Sequence, residues 1–192
     1  MSALLRAFVA VEIPENVRAA LEAVQVSLRQ HRVRARWVRP GSMHLTLKFL
    51  GDIPAGQVAG IAEVLRAAAG GCTAFRLTAA GIGVFPGLRR PRVIWAGFSG
   101  ETATLADLQR RVEEGLTALG FPREERPFRA HLTIGRFPEP VAPGPLAEAL
   151  KAFADASFGE IAVREIVLFQ SELKPSGAVY TALARVTLDE PC

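Results

Sequence analysis

The stretch "GSMHLTLKFLG", residues 41–51, places a histidine and a threonine two positions apart within an otherwise apolar run. Successive side chains of a β-strand point to opposite faces, so His44 and Thr46 share one face of the predicted strand. Leu45 and Leu47 fall on the opposite face, which suits the core of a protein. The pattern therefore predicts a strand whose open face presents an imidazole beside a hydroxyl.

The same pattern returns in "PFRAHLTIGRF", residues 127–137. There His131 and Thr133 share a face, and Leu132 and Ile134 lie opposite them. A single His-x-Thr on a strand is more often a partly buried histidine bonded to a neighbour. Because two of the three histidines in the sequence have this setting, the pair favours a functional interpretation.

Two imidazoles beside two hydroxyls fit the ring-opening of a cyclic phosphodiester. Histidine has an ordinary pKa of about 6.5, so a pair can hold one neutral base and one charged acid near neutral pH. One imidazole removes a proton from the attacking water, and the other protonates the departing ribose oxygen. Threonine hydroxyls and nearby arginines can stabilise the phosphate oxygens. This chemistry needs no metal.

Other site chemistries lack their sequence signatures. The sequence contains neither an H-E-x-x-H motif nor paired cysteines, which predict zinc, and no G-x-S-x-G nucleophile elbow. It also lacks the G-x-x-x-x-G-K-[ST] loop that binds nucleoside triphosphates. Cys72 and Cys192 stand far apart, so we expect a reducing cytoplasm rather than a disulfide framework.

The charge balance favours an anionic partner, since 23 basic residues outnumber 19 acidic ones and the formal net charge is +4. All but three of the basic residues are arginine, whose forked guanidinium suits phosphate, although a high-GC genome also enriches arginine. No apolar stretch reaches the roughly 20 residues that cross a bilayer. The apolar N-terminus, residues 1–15, is interpreted as the first strand rather than as a secretory signal, so we expect no membrane association.

Strand and helix patterns occur in similar measure along the chain, which predicts an α+β or mixed α/β fold. The predicted strands occupy residues 4–13, 43–51, 74–85, 92–99, 130–137, 161–173 and 179–188. The predicted helices occupy residues 14–30, 55–70, 102–120 and 146–154. The segment 174–178 predicts a hairpin turn. No linker interrupts the chain and each half carries one histidine strand, so we expect a single domain, residues 1–192, made of two lobes.

Five segments together resemble a known family: "RAFVAVEIP" at 6–14, "HLTLKFLG" at 44–51, "RVIWAG" at 92–97, "RPFRAHLTIGR" at 126–136 and "SELKPSGAVY" at 171–180. They are similar to the two-histidine (2H) phosphoesterase superfamily, which is defined by paired H-x-T-[aliphatic] motifs. Within it they resemble the LigT-like branch of RNA 2',3'-cyclic phosphodiesterases, historically called 2'-5' RNA ligases.

The resemblance implies a bilobal α+β fold in which two antiparallel sheets, related by a pseudo-two-fold axis, flank a central cleft with helices on the outer faces. It implies hydrolysis of an RNA 2',3'-cyclic phosphate to a 2'-phosphomonoester without cofactor or metal, and the reverse 2'-5' ligation. In this resemblance His44 is the proton donor, His131 the proton acceptor, and Thr46 and Thr133 hold the phosphate. The residues alone do not distinguish the two histidines. The expected partner is RNA with a cyclic phosphate end or a related nucleotide, bound by a monomer.

Two arginines flank the second motif and are candidates either for phosphate contacts or for surface ion pairs. Counting by twos, Arg129 falls on the His131 face and Arg136 on the opposite face, unless a bulge at Gly135 re-aims it. The candidate RNA-binding rim comprises Lys48, which shares the His44 face, and Arg34, Arg36, Arg89, Arg90, Arg92 and Tyr180. Trp37, Phe85 and Tyr180 could stack a base or belong to the core.

Two alternatives remain open at the level of sequence. The same cleft could belong to a non-catalytic module that binds nucleotides or RNA without turnover. The same chemistry could also act on another substrate: a small cyclic nucleotide, an ADP-ribose cyclic phosphate or a 2'-5' linked oligonucleotide.

Overall fold

The computed structural model describes residues 4–141, 143–175 and 177–190. In chain order the elements are β1 (Leu4–Glu12), α1 (Glu15–Gln30), β2 (Arg36–Trp37), β3 (His44–Pro54), α2 (Val58–Ala69), β4 (Phe75–Phe85), β5 (Val93–Gly100), α3 (Thr102–Ala118), β6 (Leu132–Arg136), α4 (Pro143–Lys151), β7 (Ser157–Val163), β8 (Glu165–Lys174) and β9 (Gly177–Thr187). None of the helices in these ranges is both long and apolar enough to cross a membrane.

The strands form two antiparallel sheets. The four-stranded sheet has the order β3-β1-β8-β9, and the five-stranded sheet has the order β2-β6-β5-β4-β7. Helices α2 and α3 pack together and cover the four-stranded sheet, whereas α1 packs against β6 and β7 of the five-stranded sheet. The predicted α+β fold with two antiparallel sheets is therefore confirmed. One His-x-Thr segment belongs to each sheet.

The two sheets are not the two halves of the sequence. Strands β1 and β3 from the beginning of the chain share a sheet with β8 and β9 from its end. Because the N-terminal and C-terminal strands are hydrogen-bonded to each other, both ends of the chain contribute to the sheet that carries His44.

The chain changes sheets at Arg164, and the prediction of one strand over residues 161–173 was wrong there. Strand β7 ends at Val163 in the five-stranded sheet, and β8 begins at Glu165 in the four-stranded sheet. The run contains no glycine or proline at the break, so nothing in the local sequence marks it.

The predicted hairpin is present, with Lys174 opposite Gly177, although Ser176 of its turn and Cys192 lie outside the described residues.

The buried side chains form one large cluster beneath both sheets and a small second cluster. The aliphatic residues of both motif strands belong to the large cluster: Leu45, Leu47, Leu132 and Ile134 are at most 3% exposed. Full burial of such a side chain contributes about 1.5–3 kcal/mol, so the alternation fixes which face of each strand looks outward. The second cluster lies on the other face of the four-stranded sheet and consists of Phe8, Ala10, Val167 and Phe169.

Candidate active site

His44 is held between two aromatic rings at the start of β3. Its ring stacks on Phe8, with 4.6 Å between centroids and 29° between planes. Tyr180 meets it edge-on at 5.1 Å. The Nδ1 atom lies 3.0 Å from the carbonyl oxygen of Ser42. A carbonyl can only accept, so Nδ1 carries the proton of the neutral ring and Nε2 is left as the basic atom.

Burial lowers the pKa of His44 to about 4, and the hydrogen bond to the Ser42 carbonyl only partly opposes this shift. Desolvation disfavours the charged form because the aromatic rings replace the water that would solvate an imidazolium. His44 is therefore neutral near pH 7 in the free protein.

The lowered pKa of His44 predicts acid-sensitive stability. The unfolded chain has an ordinary histidine, so between about pH 6.5 and about pH 4 it binds a proton that the folded protein does not bind. Stability is therefore highest above the unfolded pKa and falls as the pH drops, by about 2–3 kcal/mol between about pH 7 and about pH 4.5. Urea denaturation of the wild type and of His44→Gln at both pH values measures this.

The exposed His31 at the end of α1 supplies the control for this pH dependence. His31→Gln is expected to keep the pH dependence of the wild type, whereas His44→Gln loses most of it. An unchanged slope in His44→Gln would assign the acid sensitivity to other groups.

His131 has the same local arrangement as His44. Its Nδ1 lies 2.7 Å from the carbonyl oxygen of Arg129, two residues before it, as Ser42 is two residues before His44. Phe85 approaches the His131 ring edge-on at 5.1 Å. In both motifs the carbonyl therefore fixes the tautomer, and Nε2 is free to exchange a proton with a substrate.

The aromatic stack that contacts His131 depends on Gly83. Trp95 stacks on Phe85 with 5.0 Å between ring centroids, and its indole lies across Gly83 of the neighbouring strand. A Cβ at Gly83 would come within 2.4 Å of the indole ring. The absence of a side chain at Gly83 thus allows the Trp95–Phe85 stack that supports His131.

A bulge in β3 turns Lys48 away from the site, so the prediction that it lines the cleft was wrong. Val9 is opposite Lys48 and Ala10 is opposite Thr46, which leaves Leu47 as an extra residue. Lys48 consequently points to the helix side, where only 6% of it is exposed. There Nζ lies 2.7 Å from Oε1 of Glu113.

A second bulge, in β6, places Arg136 on the motif face. Ile94 is opposite Gly135 and Trp95 is opposite Thr133, so Ile134 is the extra residue. Arg136 is then opposite Val93, and alternation along β5 puts it on the same face as Thr133.

The charge of Arg136, on the five-stranded sheet, acts on Tyr180 of the four-stranded sheet. Burial raises the pKa of Tyr180, and the guanidinium groups of Arg136 and Arg6 oppose this rise. Arg136 belongs to the five-stranded sheet, whereas Tyr180 belongs to the four-stranded sheet and contacts His44. Strands β3 and β6 also approach each other closely. The approach of β3 and β6, together with the charge effect of Arg136 on Tyr180, places the two motif segments in the same region of the molecule.

The predicted rim arginines are exposed, and they lie on both sides of β6, the strand of the second motif. Arg36 is directly opposite Arg136 across β2 and β6, so both side chains leave the same face. Arg129 is exposed, and its contact with the site is the backbone carbonyl that His131 binds. The remaining candidates are exposed before β2 or between β4 and β5: Arg34, Arg89, Arg90 and Arg92.

Trp37 does not face the site, so it is not a base-stacking residue. It lies against Gly135 on the helix side of the five-stranded sheet, and the Arg29 guanidinium of α1 covers its ring at 5.2 Å.

Conversely, sequence analysis missed Phe8 and Arg6. Alternation in β1 puts both on the face opposite Ala7, but only the pairing with β3 shows that this face carries His44.

In the described ranges, no group of three or more His, Cys, Asp or Glu side chains is arranged to hold a metal ion.

Two antiparallel sheets that each present a His-x-Thr segment define a two-histidine phosphoesterase. The chain belongs to the family described as LigT like phosphoesterase, because the sequence profile of that family matches residues 11–95 and 98–180.

Similar proteins support this assignment over nearly the whole chain. A Methanothermobacter thermautotrophicus protein named RNA 2',3'-cyclic phosphodiesterase is 36% identical over 177 residues, covering 92% of this chain and 95% of the relative. The crystal structure of TT0787 of Thermus thermophilus has a TM-score of 0.79 at 33% identity and covers 97% of this chain and 99% of that one. E. coli LigT complexed with 3'-AMP shares the fold, with a TM-score of 0.76 at 24% identity over 98% of this chain and all of its own (100%).

Proposed function

We propose that the protein hydrolyses the 2',3'-cyclic phosphate ends of RNA to 2'-phosphomonoesters, with His44 and His131 as a general acid–base pair. The observation that carries the proposal is the matched pair of imidazoles. Each is oriented by a backbone carbonyl two residues earlier and is followed by a threonine on the same strand face. The names of the relatives support the reaction and the RNA substrate.

The proposed reaction needs two proton transfers on opposite sides of phosphorus. Nε2 of His131 takes a proton from water as the water oxygen bonds to phosphorus. Nε2 of His44 gives a proton to the ribose 3' oxygen as its bond to phosphorus breaks. The hydroxyls of Thr46 and Thr133 donate to the non-bridging oxygens, and Arg136 offsets their developing charge. A ribose 5'-hydroxyl that attacks phosphorus in place of water would break the same bond to the 3' oxygen and form a 2'-5' phosphodiester, which is the ligation.

The acid role of His44 requires that the substrate help to protonate it. Its pKa of about 4 in the free protein leaves the ring neutral near pH 7. A phosphate anion placed within about 4–6 Å favours the charged form of an imidazole. Binding of the cyclic phosphate therefore raises the pKa of His44, and the ring takes up a proton from the solvent when the substrate binds.

A single assay tests the activity and its independence of metal. An RNA oligonucleotide ending in a 2',3'-cyclic phosphate is incubated with the protein in EDTA, and the product phosphate is located at the 2' or 3' oxygen. We expect 2'-phosphate at the same rate with and without EDTA, because two imidazoles supply both proton transfers. Loss of the rate in EDTA and its return with zinc would contradict the mechanism.

The same assay separates the alternatives. Binding without turnover would support a non-catalytic module, which has no use for a proton donor and acceptor together. Faster turnover of a cyclic mononucleotide than of the oligonucleotide would assign the enzyme to small nucleotides. The exposed arginines near the motif strand favour the oligonucleotide. The sparse cysteines favour a cytoplasmic location for this RNA chemistry.

A further inference from the structure

We propose that the buried ion pair of Lys48 and Glu113 positions His131 relative to His44, so that both imidazoles reach the same phosphorus atom. The two residues of the pair act on the reaction through His131 and are positioning residues. The inference rests on the proposed function and deepens it, because it names what holds the second motif segment in place.

The residues that precede His131 have no regular secondary structure. Residues 119–131, between α3 and β6, form neither helix nor strand, and residues 122–127 are all exposed. Arg129, whose carbonyl oxygen orients the His131 ring, belongs to this segment. The place and direction of the ring therefore depend on how the segment is held.

Two hydrogen bonds hold the segment, and both involve the buried pair. Lys48 Nζ donates to the carbonyl oxygen of Pro122 at 2.8 Å. The backbone N–H of Glu124 donates to Oε1 of Glu113, also at 2.8 Å. In the part of the chain that the structure describes, no other hydrogen bond or ion pair joins residues 122–130 to the rest of the molecule.

Apolar contacts fix the segment less sharply than these bonds do. Phe121, Phe128 and Ala130 are partly buried against the large core cluster. The hydrophobic effect is non-directional, so such residues can shift along an apolar surface at little cost. A hydrogen bond instead requires a donor–acceptor distance of about 2.7–3.2 Å and near alignment. The two bonds to the pair therefore set the position of the segment.

The other end of this anchor is the strand that carries His44. Lys48 follows His44 along β3, and the bulge at Leu47 turns it to the helix side of the sheet. There its Nζ lies 2.7 Å from Oε1 of Glu113 on α3. Strand β3 is paired with β1 along its whole length, so it is a rigid reference. It places His44 directly and His131 through the buried pair.

Stability alone does not account for a charged pair at this position. The side chains of Lys48 and Glu113 are 4% and 9% exposed, and Oε2 of Glu113 is buried without a hydrogen-bond partner among the described residues. Apolar side chains of similar volume are often as stabilising as a buried ion pair, or more so. What an apolar pair could not supply is a donor for Pro122 and an acceptor for Glu124.

The test replaces both partners, because removal of one would leave the charge of the other buried. Lys48→Met/Glu113→Leu is expected to lower kcat on RNA with a cyclic phosphate end by roughly 10–100-fold and to change KM by no more than about twofold, since a misplacement of about 1 Å can cost 10²-fold in rate. Circular dichroism and urea denaturation verify the fold. A folded double variant with the wild-type kcat would overturn the proposal and leave the proposed function intact.

A double-mutant cycle identifies the histidine through which the pair acts. In a His131→Ala background the double substitution should cause no further loss of kcat, because no imidazole remains there to be positioned. In a His44→Ala background it should cause the same loss as in the wild type. Groups that act as a unit are non-additive in this way. Equal losses in all three backgrounds would indicate a general structural effect and overturn the positioning role.

The exposed pair of Arg76 and Glu160 supplies the matched control, since its side chains are 71% and 53% exposed. Arg76→Met/Glu160→Leu should retain the wild-type kcat and KM. A loss of kcat in this control as large as that in Lys48→Met/Glu113→Leu would contradict a specific role for the buried pair.

Failure of the proposed function is recognised separately. If the wild type does not hydrolyse the cyclic phosphate, amide hydrogen exchange still tests the anchor. The backbone N–H of Glu124 should exchange faster in Lys48→Met/Glu113→Leu than in the wild type, whereas the amide of Leu108 in the buried face of α3 should exchange equally in both. Faster exchange at Glu124 alone supports the anchor, and equal exchange overturns it.

Discussion

Replacing His131 or His44 by alanine is expected to lower kcat for ring-opening by about 10²–10⁴-fold each, the usual contribution of a positioned acid or base. Neither ring is fully buried, and each side chain bonds its own neighbouring loop carbonyl rather than a distant element. The fold should therefore survive either change. Steady-state kinetics on the RNA substrate, with circular dichroism to verify folding, measures the effect.

The exposed His31 provides a matched control for these variants, since it lies at the end of α1 outside both motifs. His31→Ala should retain the wild-type kcat. Retention of full activity by His44→Ala or His131→Ala would remove the proposed acid–base pair.

The roles of the two histidines can be separated with a leaving-group experiment. A cyclic substrate whose 3' oxygen is replaced by sulfur releases a thiolate, which departs without a proton donor. If His44 is the acid, the defect of His44→Ala shrinks on the sulfur substrate, because no proton is needed at that position. The defect of His131→Ala persists, since water must still lose a proton. The opposite result would exchange the two roles.

The face assignments of the motif strands could be predicted because they depend only on the local period of two. Leu45 and Leu132 are fully buried while His44 and His131 are half-buried, as alternation requires. The positions of Lys48 and Arg136 could not be predicted by counting. A bulge at Leu47 turns Lys48 to the face opposite His44, and a bulge at Ile134 turns Arg136 to the face of Thr133. Bulges arise from the pairing of two strands, and the partner is not visible in one strand's sequence.

Long-range pairing also explains the other differences between sequence and structure. The switch of sheets at Arg164 follows from β7 pairing with β4 and β8 pairing with β1. The stacking of Phe8 under His44 has the same origin, because β1 and β3 are separated in sequence by α1 and β2. Sequence therefore predicted the catalytic candidates, whereas the aromatic surroundings that lower the pKa of His44 came only from the fold.

Replacing Lys48 by methionine is expected to destabilise the protein by about 3–5 kcal/mol, because it leaves the Glu113 carboxylate buried and unpaired. The side chains of Lys48 and Glu113 are only 4% and 9% exposed, and Lys48 also donates to the Pro122 carbonyl at 2.8 Å. Glu113 in turn accepts from the backbone N–H of Glu124 at 2.8 Å. The pair therefore anchors β3 and α3 to the segment that leads to His131. Urea denaturation measures the loss.

The surface pair Arg76–Glu160 is the matched control, with N and O atoms 2.6 Å apart and side chains 71% and 53% exposed. Arg76→Met should cost no more than about 1 kcal/mol, since water screens an exposed pair. The double variant Lys48→Met/Glu113→Leu should recover much of the stability lost in Lys48→Met, because it also removes the Glu113 carboxylate that Lys48→Met leaves buried without its cation. A Lys48→Met variant as stable as Arg76→Met would show that the buried pair does not anchor this segment.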